Sequence, residues 1–327
     1  MQYTALGRTG LLVSRLCLGT MEFGPKVGEE ECRLLMDTAV DEGINFFDTA
    51  NVYGRKLVEG ASESIIGRWF GQSRGKRDKI VLATKVYGNM ADWPNGRGLS
   101  ARSIIAEANA SLRRLDTDYI DLYQMHHVDR QTPWEEIWQA METLLSQGKV
   151  RYVGSSNFAG WHLASAQVVA RQRGLLGLVS EQCLYNLMAR TAELEVLPAA
   201  EAHGMGVMAW SPLNAGLLGG VIAKAAAGEP LDIREHRRPV LESSRSSLAA
   251  FEELCAQLGH EPAQVATGWL LAQPVVTAPV IGPLNLHHLR SSLGAMSVKL
   301  DTSVLQRLDE LFPSAGKGRP GPEAWAW

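Results

Sequence analysis

Residues 80–126 read IVLATKVYGNMADWPNGRGLSARSIIAEANASLRRLDTDYIDLYQMH. The stretch opens with an apolar run, residues 80–84, short enough for a buried strand. Residues 103–115 then place Ile104, Ile105, Ala108 and Leu112 on one helical face, and residues 119–125 form a second apolar run. Ser100, just ahead of Ala101-Arg102-Ser103, is a natural N-cap. Strand, amphipathic helix and strand in this order join two parallel strands through a right-handed crossover.

The same unit recurs on both sides. Further strands are expected at residues 16–18, 45–48, 150–155, 178–182, 206–210 and 276–281. Helical stripes lie at 30–42 (Leu34, Leu35, Thr38, Ala39) and 134–148 (Ile137, Trp138, Met141, Leu145). Thr132-Pro133 is expected to place Pro133 at the first helical position, where its missing N–H is harmless. Eight strand–helix units in 327 residues favour an α/β fold of the (β/α)8 TIM-barrel type over an open doubly wound sheet. Residues 2–4 and 11–13, joined through Gly7-Arg8-Thr9-Gly10, predict an N-terminal β-hairpin cap on the barrel bottom. Residues 1–327 are expected to form one barrel domain. A connection from 211 to 247 is long for a compact domain and marks a functional or mobile loop. The segment 316–322 is expected to be irregular and to carry Trp325 and Trp327 to a surface.

Composition narrows the function classes. Hydrophobic residues make up 46% of the chain, enough for a large core. Net charge is −3, from 32 Lys plus Arg against 35 Asp plus Glu, so nothing favours nucleic acid or an anionic membrane as partner. No apolar run has the length of a membrane span, and Met1-Gln2-Tyr3-Thr4 lacks signal-peptide character. Cys17, Cys32, Cys183 and Cys255 are scattered, without CxxC spacing or nearby His, which argues against a disulfide framework or metal site. A cytoplasmic protein with reduced thiols is expected.

In a parallel barrel, chemistry is built at the C-terminal strand ends. Asp48 ends the second barrel strand, Tyr53 follows in the next loop, Lys85 follows the third strand and His126 ends the fourth. Each alone is weak, since a lone Asp caps turns and a lone Lys is usually solvated. Together they make a general acid. A phenol titrates near pH 10, and a buried lysine cation within hydrogen-bond reach is expected to lower that value. Asp48 would keep the lysine charged, and His126 would orient a carbonyl oxygen.

This constellation resembles the aldo-keto reductase superfamily, over essentially the whole chain. The resemblance rests on Phe47-Asp48-Thr49-Ala50 followed by Tyr53-Gly54, on Ala83-Thr84-Lys85, on Gln124-Met125-His126 and on Val153-Gly154-Ser155-Ser156-Asn157-Phe158. It implies a nicotinamide cofactor, NADPH by family habit with NADH as the open alternative, and a small carbonyl substrate. By the same resemblance Ser156, Asn157 and Gln182 hold the carboxamide and Trp210 stacks on the ring. Ser211, Pro212, Leu213 and Gly216 face the pyrophosphate, where a Gly-rich backbone can approach closely. Gly19, Thr20, Met21, Asp48, Gly282, Pro283, His288 and Ser292 complete the expected cofactor contacts. Retention of His126 favours carbonyl over direct enone reduction.

Several blocks, 123–129, 134–140, 153–161, 178–187 and 193–199, are similar to actinobacterial antibiotic-pathway reductases of nucleotide-linked keto-deoxyhexoses. Related pathway enzymes reduce polyketide side-chain ketones. The resemblance to potassium channel β subunits is looser, and those commonly carry Asn where His126 stands. It implies a homo-oligomer, tetramer or octamer, and offers a regulatory nicotinamide-binding subunit as the competing function. The last barrel segment departs from the family. Relatives carry an Arg near the position of Leu284, which cannot pair with a 2′-phosphate, leaving His288 and Arg290 as the available partners. The basic cluster Arg234, His236, Arg237 and Arg238 would suit a diphosphate-bearing sugar. Tyr87, Trp93 and His127, with Met90 and Trp325, would suit an apolar, ring-bearing ketone.

Overall fold

The computed structural model of the protein describes residues 1–54, 60–73, 75–231, 233 and 237–316. The described residues form ten strands: β1 (Tyr3–Ala5), β2 (Leu12–Ser14), β3 (Cys17–Gly19), β4 (Phe46–Asp48), β5 (Val81–Val86), β6 (Ile120–Met125), β7 (Val150–Ser156), β8 (Leu178–Leu184), β9 (Gly206–Trp210) and β10 (Val276–Ile281). Strands β3 to β10 pair in parallel in chain order, and β10 returns to β3 through Val280–Cys17 and Ile281–Leu18, closing an eight-stranded barrel. The helices are α1 (Glu29–Asp41), α2 (Ala61–Phe70), α3 (Ala101–Leu115), α4 (Trp134–Ser146), α5 (Gly160–Gln172), α6 (Val196–Ala202), α7 (Val221–Ala226), α8 (Arg238–Ser243), α9 (Arg245–Leu258), α10 (Pro262–Leu271), α11 (Leu286–Gly294) and α12 (Thr302–Leu311). The expected (β/α)8 architecture is present; β9 and β10 have the expected bounds, and the other strand ends differ from expectation by no more than two residues.

Local sequence explains the helix ends. Ser100 caps α3 by accepting the Ser103 N–H at 3.2 Å, and α3 stops at Asp116, whose φ of 49° leaves the helical region. Three glutamates open α1 against the positive end of its dipole. Pro133 differs from expectation: it is the N-cap of α4, with an extended ψ of 148°, and Trp134 is the first helical residue. Residues 211–247 also differ. They contain α7, an Ala-rich run of good helix formers, and α8, with Pro in its first turn. Asp232 and residues 234–236 lie outside the described residues, as do Trp325 and Trp327.

Two apolar layers organise the interior. Inside the barrel, Cys17, Phe46, Val81, Ala83, Leu122, Val179, Met208 and Ala278 pack with Leu6 and Val13. Between strands and helices, larger clusters bury Trp69, Trp138 and Trp269. The antiparallel β1–β2 hairpin closes the N-terminal end of the barrel, as expected. Its Leu6 is fully buried. The Arg8 N–H donates to the Gly204 carbonyl at 2.8 Å. Gly7 is required there: its φ is 56°, and a Cβ would stand 2.5 Å from the Val179 carbonyl oxygen. The C-terminal end is thereby left as the face where loops and site residues gather.

Candidate active site

Side-chain alternation aims the polar residues inward. On β4, Phe46 faces the inner core, so Asp48, two residues on, faces the same space. On β5 the inner positions run Val81, Ala83, Lys85, and on β6 they run Leu122, Gln124. Parallel register sets Lys85 beside Gln124, and Asp48 beside Ala83 and Gly19. All three polar side chains are fully buried or nearly so.

Their hydrogen bonds form one network. Lys85 Nζ donates to Asp48 Oδ2 at 2.5 Å, to the Thr49 carbonyl at 2.9 Å and to Tyr53 Oη at 3.0 Å. An ammonium has three protons, so Lys85 is saturated. Because Tyr53 Oη accepts from Lys85, its own proton is free to point to a different acceptor. Asp48 Oδ1 accepts the amide N–H groups of Gln124 at 3.0 Å and Gln182 at 2.8 Å. Thr20 donates its hydroxyl to the Asp48 carbonyl at 3.0 Å and accepts from Ser62 at 2.8 Å. The Thr20 side chain thus braces the strand end.

Burial lowers a lysine's pKa, but the Asp48 carboxylate and the Tyr53 oxygen outweigh it, and Lys85 is held above its ordinary value as a cation. The expected lowering of the phenol is not found. Burial raises the Tyr53 pKa more than the Lys85 cation lowers it, and Asp48 adds to the rise. The hydroxyl therefore carries its proton at neutral pH, the form an acid must start in. His126 is pushed down to about 2 by burial, by Lys85 and by His127, so its imidazole is neutral. Its ring meets Tyr53 edge-on at 5.9 Å and stacks on His127 at 5.1 Å. Tyr87, at φ 150°, in turn contacts His127 edge-on at 5.4 Å. Trp93 is 79% exposed on the loop between β5 and α3.

The remaining expected residues gather on the neighbouring strand ends. Asn157, at φ 60°, donates to the His126 carbonyl and to Ser156 Oγ, both at 3.0 Å, and accepts the Trp210 indole N–H at 3.0 Å. Gln182 spends its Nε2 on Asp48, and its Oε1 has no acceptor duty among the described residues. After Trp210, Ser211 adopts φ 56°, Pro212 is buried and Gly216 has φ 95°. This turn is more self-contained than an open phosphate cradle: the N–H groups of Asn214, Gly216, Leu218 and Gly219 all bond to carbonyls within it, and the Ala215 N–H bonds to Ser211 Oγ. Met21 is exposed, Gly282 opens onto free space and Pro283 beside it is buried. Asn285 caps α11 by accepting the His288 N–H at 2.9 Å, and Ser292 Oγ donates to the His288 carbonyl at 2.9 Å.

Two contributors were missed from sequence. Gln124 lies two residues before His126, so period-2 alternation alone places it inward beside Asp48. Thr49 contributes a backbone carbonyl, for which side-chain identity carries no signal.

No helix among the described residues is long and apolar enough to cross a membrane. The sequence profile of the aldo/keto reductase family matches residues 15–312. The chain is 53% identical to "Uncharacterized oxidoreductase YrpG" of Bacillus subtilis (strain 168), over all of both chains. It is 32% identical to "Versiconal hemiacetal acetate reductase" of Aspergillus parasiticus, covering 95% of this chain and 97% of that one. It is also 32% identical to "Probable voltage-gated potassium channel subunit beta" of Arabidopsis thaliana, covering 97% and 98%. With a closed parallel barrel, a buried Lys–Asp pair at its C-terminal end and kinship along nearly its full length, this chain belongs to the aldo/keto reductase family of nicotinamide-dependent oxidoreductases.

Proposed function

We propose that this protein reduces a ketone, with Tyr53 as general acid, Lys85 and Asp48 as the pair that tunes it, and His126 as the neutral donor that orients the carbonyl. The observation that carries this reading is the saturated Lys85 ammonium, 3.0 Å from a Tyr53 oxygen whose proton is left to donate. The bound cofactor, NADPH in this reading with NADH as its competitor, supplies the hydride. As the carbonyl oxygen gains charge, Tyr53 gives it a proton, and Lys85 stabilises the phenolate left behind. His126 cannot become a competing cation, because burial and Lys85 hold it neutral.

The cofactor reading is supported by chemistry at the rim. The uncommitted Gln182 Oε1 supports it as acceptor for a carboxamide N–H. Ser156 and Asn157 stand beside it with their donors engaged by the Gln182 carbonyl, the His126 carbonyl and Ser156 Oγ, so they would have to exchange one of these bonds for the carboxamide. Trp210 is a half-buried ring tethered to Asn157. Gly19, Met21, Ser211, Pro212, Leu213 and Gly216 follow along the rim as backbone and apolar contacts, with Thr20 acting through Asp48. Gly282, Pro283, His288 and Ser292 are assigned to the adenosine end, where Arg290 is the exposed cation for a 2′-phosphate. Residues 1–327 are read as one barrel domain, in a cytoplasmic protein that assembles as a homo-oligomer like the channel subunits it resembles.

For the substrate, the rim favours an apolar, ring-bearing ketone of the polyketide type. His127 stacks on His126 and Tyr87 meets His127 edge-on, giving a ring-lined rim, and Trp93 adds exposed aromatic surface on the loop between β5 and α3. The fungal relative is named as the reductase of a hemiacetal acetate, a carbonyl-level substrate with no nucleotide in its name. The nucleotide-linked keto-deoxyhexose reading retains one specific support: the buried Nε of Arg237 has no partner among the described residues, although Arg234 and His236 lie outside them. The channel-subunit relative keeps a regulatory role as the other reading.

The deciding experiment is NADPH oxidation with a vicinal diketone, comparing wild type with Tyr53→Phe. Removing the phenolic proton should slow turnover by at least about a hundredfold. Turnover indifferent to Tyr53 sinks the mechanism, whereas cofactor binding without turnover of any carbonyl favours the regulatory reading.

A further inference from the structure

At their C-terminal ends strands β7 and β8 each place a polar side chain facing the helix layer next to one facing the barrel interior. Ser156 and Gln182 face inward, while Ser155 and Glu181 face the helix layer. Glu181 is fully buried there. Its Oε2 accepts the Ser155 hydroxyl at 2.5 Å and its Oε1 accepts the Phe158 N–H at 3.0 Å. No Lys or Arg among the described residues pairs with it. Burial pushes the carboxyl up to about 8, against the hydrogen bonds from Ser155 and Phe158 that favour its ionised form. A buried carboxyl without a cation is an expensive side chain to keep for packing alone.

What it supports is a single turn. Asn157 holds a left-handed φ of 60°, and three successive N–H groups beyond β7 are each captured. Asn157 donates to the Gln182 carbonyl, Phe158 to Glu181 and Ala159 to His162 Nδ1. Only the middle one depends on a side chain of the strand that carries Gln182. The Asn157 side chain then ties three strand ends together, through the His126 carbonyl, Ser156 Oγ and the Trp210 indole.

We infer that Glu181 is a positioning residue for the cofactor: its acceptor oxygen on the Phe158 N–H fixes the Asn157 turn, and through it the places of Ser156 and Trp210. The inference rests on the reading of these residues as nicotinamide contacts. The bonds of Lys85 to Asp48, Thr49 and Tyr53 involve no atom of β7 or β8, and the acid machinery meets this region at two points only among the described residues, Gln182 Nε2 on Asp48 Oδ1 and the Asn157 amide on the His126 carbonyl. The Gln182–Asp48 bond does not run through the Phe158 N–H, so loss of the Glu181 acceptor should act mainly on cofactor binding and change the chemical step far less.

The test compares Glu181→Met, which removes the acceptor at similar volume, with Glu181→Gln, which keeps an oxygen for Phe158 and can donate to Ser155 Oγ. NADPH dissociation constants come from tryptophan fluorescence, and turnover is measured at saturating NADPH. Glu181→Met should weaken NADPH at least about tenfold, while Glu181→Gln stays within about threefold of wild type, and saturated turnover changes less than about threefold in both. If the Met variant does not fold, Glu181→Asp withdraws the acceptor by one methylene and should weaken NADPH in the same direction. Unchanged affinity in the folded acceptor-lacking variant overturns the inference, and so does a Gln variant as weak as Met. Asn157→Ala separates the two layers of the argument: if it leaves NADPH binding intact, the nicotinamide reading itself fails and this inference with it.

Discussion

The two ends of the barrel are built from the same strands and solve opposite problems. At the N-terminal end the inward positions are Cys17, Phe46, Val81 and Val179, sealed by Leu6 and Val13 of the hairpin. Two to four residues further along β4 and β5 the inward positions are Asp48 and Lys85, and on β6 Gln124 follows Leu122. The first end removes apolar area from water and holds the barrel closed. The second keeps a buried ion pair, 0% and 2% exposed, whose desolvation cancels much of its attraction. The contrast teaches where change should register: at the bottom in stability alone, at the top in activity and, for the ion pair, in both.

Lys85→Met should be the most damaging change. It strands a buried Asp48 carboxylate, costing about 3–5 kcal/mol of stability by the usual penalty for an orphaned buried charge, and it removes the cation behind Tyr53. Urea unfolding and turnover measured together should both collapse; a stable, active variant would erase the distinction between the two ends.

Leu6→Ala should come next, with about 2–5 kcal/mol lost from the unfolding free energy, because its cavity opens in a closed apolar layer. Turnover per folded molecule should stay near wild type. A selective loss of activity would mean that the hairpin reaches the site through the barrel.

The smallest effect is a slope. The folded-state pKa of His126 is about 2 against an ordinary 6.5, so below pH 6.5 the unfolded chain takes a proton that the native site refuses. This contribution to stability is present above 6.5 and is lost as pH falls, by at most about 1.4 kcal/mol per pH unit. Glu181 acts in the opposite sense: its folded pKa is raised from 4.5 to about 8, so its contribution is present below 4.5 and lost as pH rises through 8. Comparing wild type with His126→Gln at pH 7, 6 and 5 isolates the first term. Denaturation midpoints with the same pH slope in both proteins would show that His126 is not held neutral.

Much of this molecule was legible before any coordinates. Alternating strand and helix periods predicted eight parallel strands, and a closed barrel puts Asp48, Lys85 and His126 on one rim whatever the loops do. Gln124 was equally legible by parity and was passed over because an amide has no charge to notice. The connection at 211–247 was misjudged because glycines and charges there hide α7 and α8, helices of six residues each, too short for a periodic stripe.

Sequence alone therefore determined the strand count, the hairpin cap and the identity of the ionisable set, because those follow from local periodicity and from residue type. Tertiary structure decided the rest. The phenol's direction of shift depends on how much water reaches Tyr53, which no neighbour in sequence reports. The face of β8 depends on a register shift between the Val153–Leu178 and Ser155–Glu181 pairs. Val179 and Gln182 both face inward although they are three residues apart, because the extra residue reverses the alternation. Without that irregularity Glu181 would enter the barrel and Gln182 would leave it, and the pairing partner that sets the register lies 25 or more residues away in the chain.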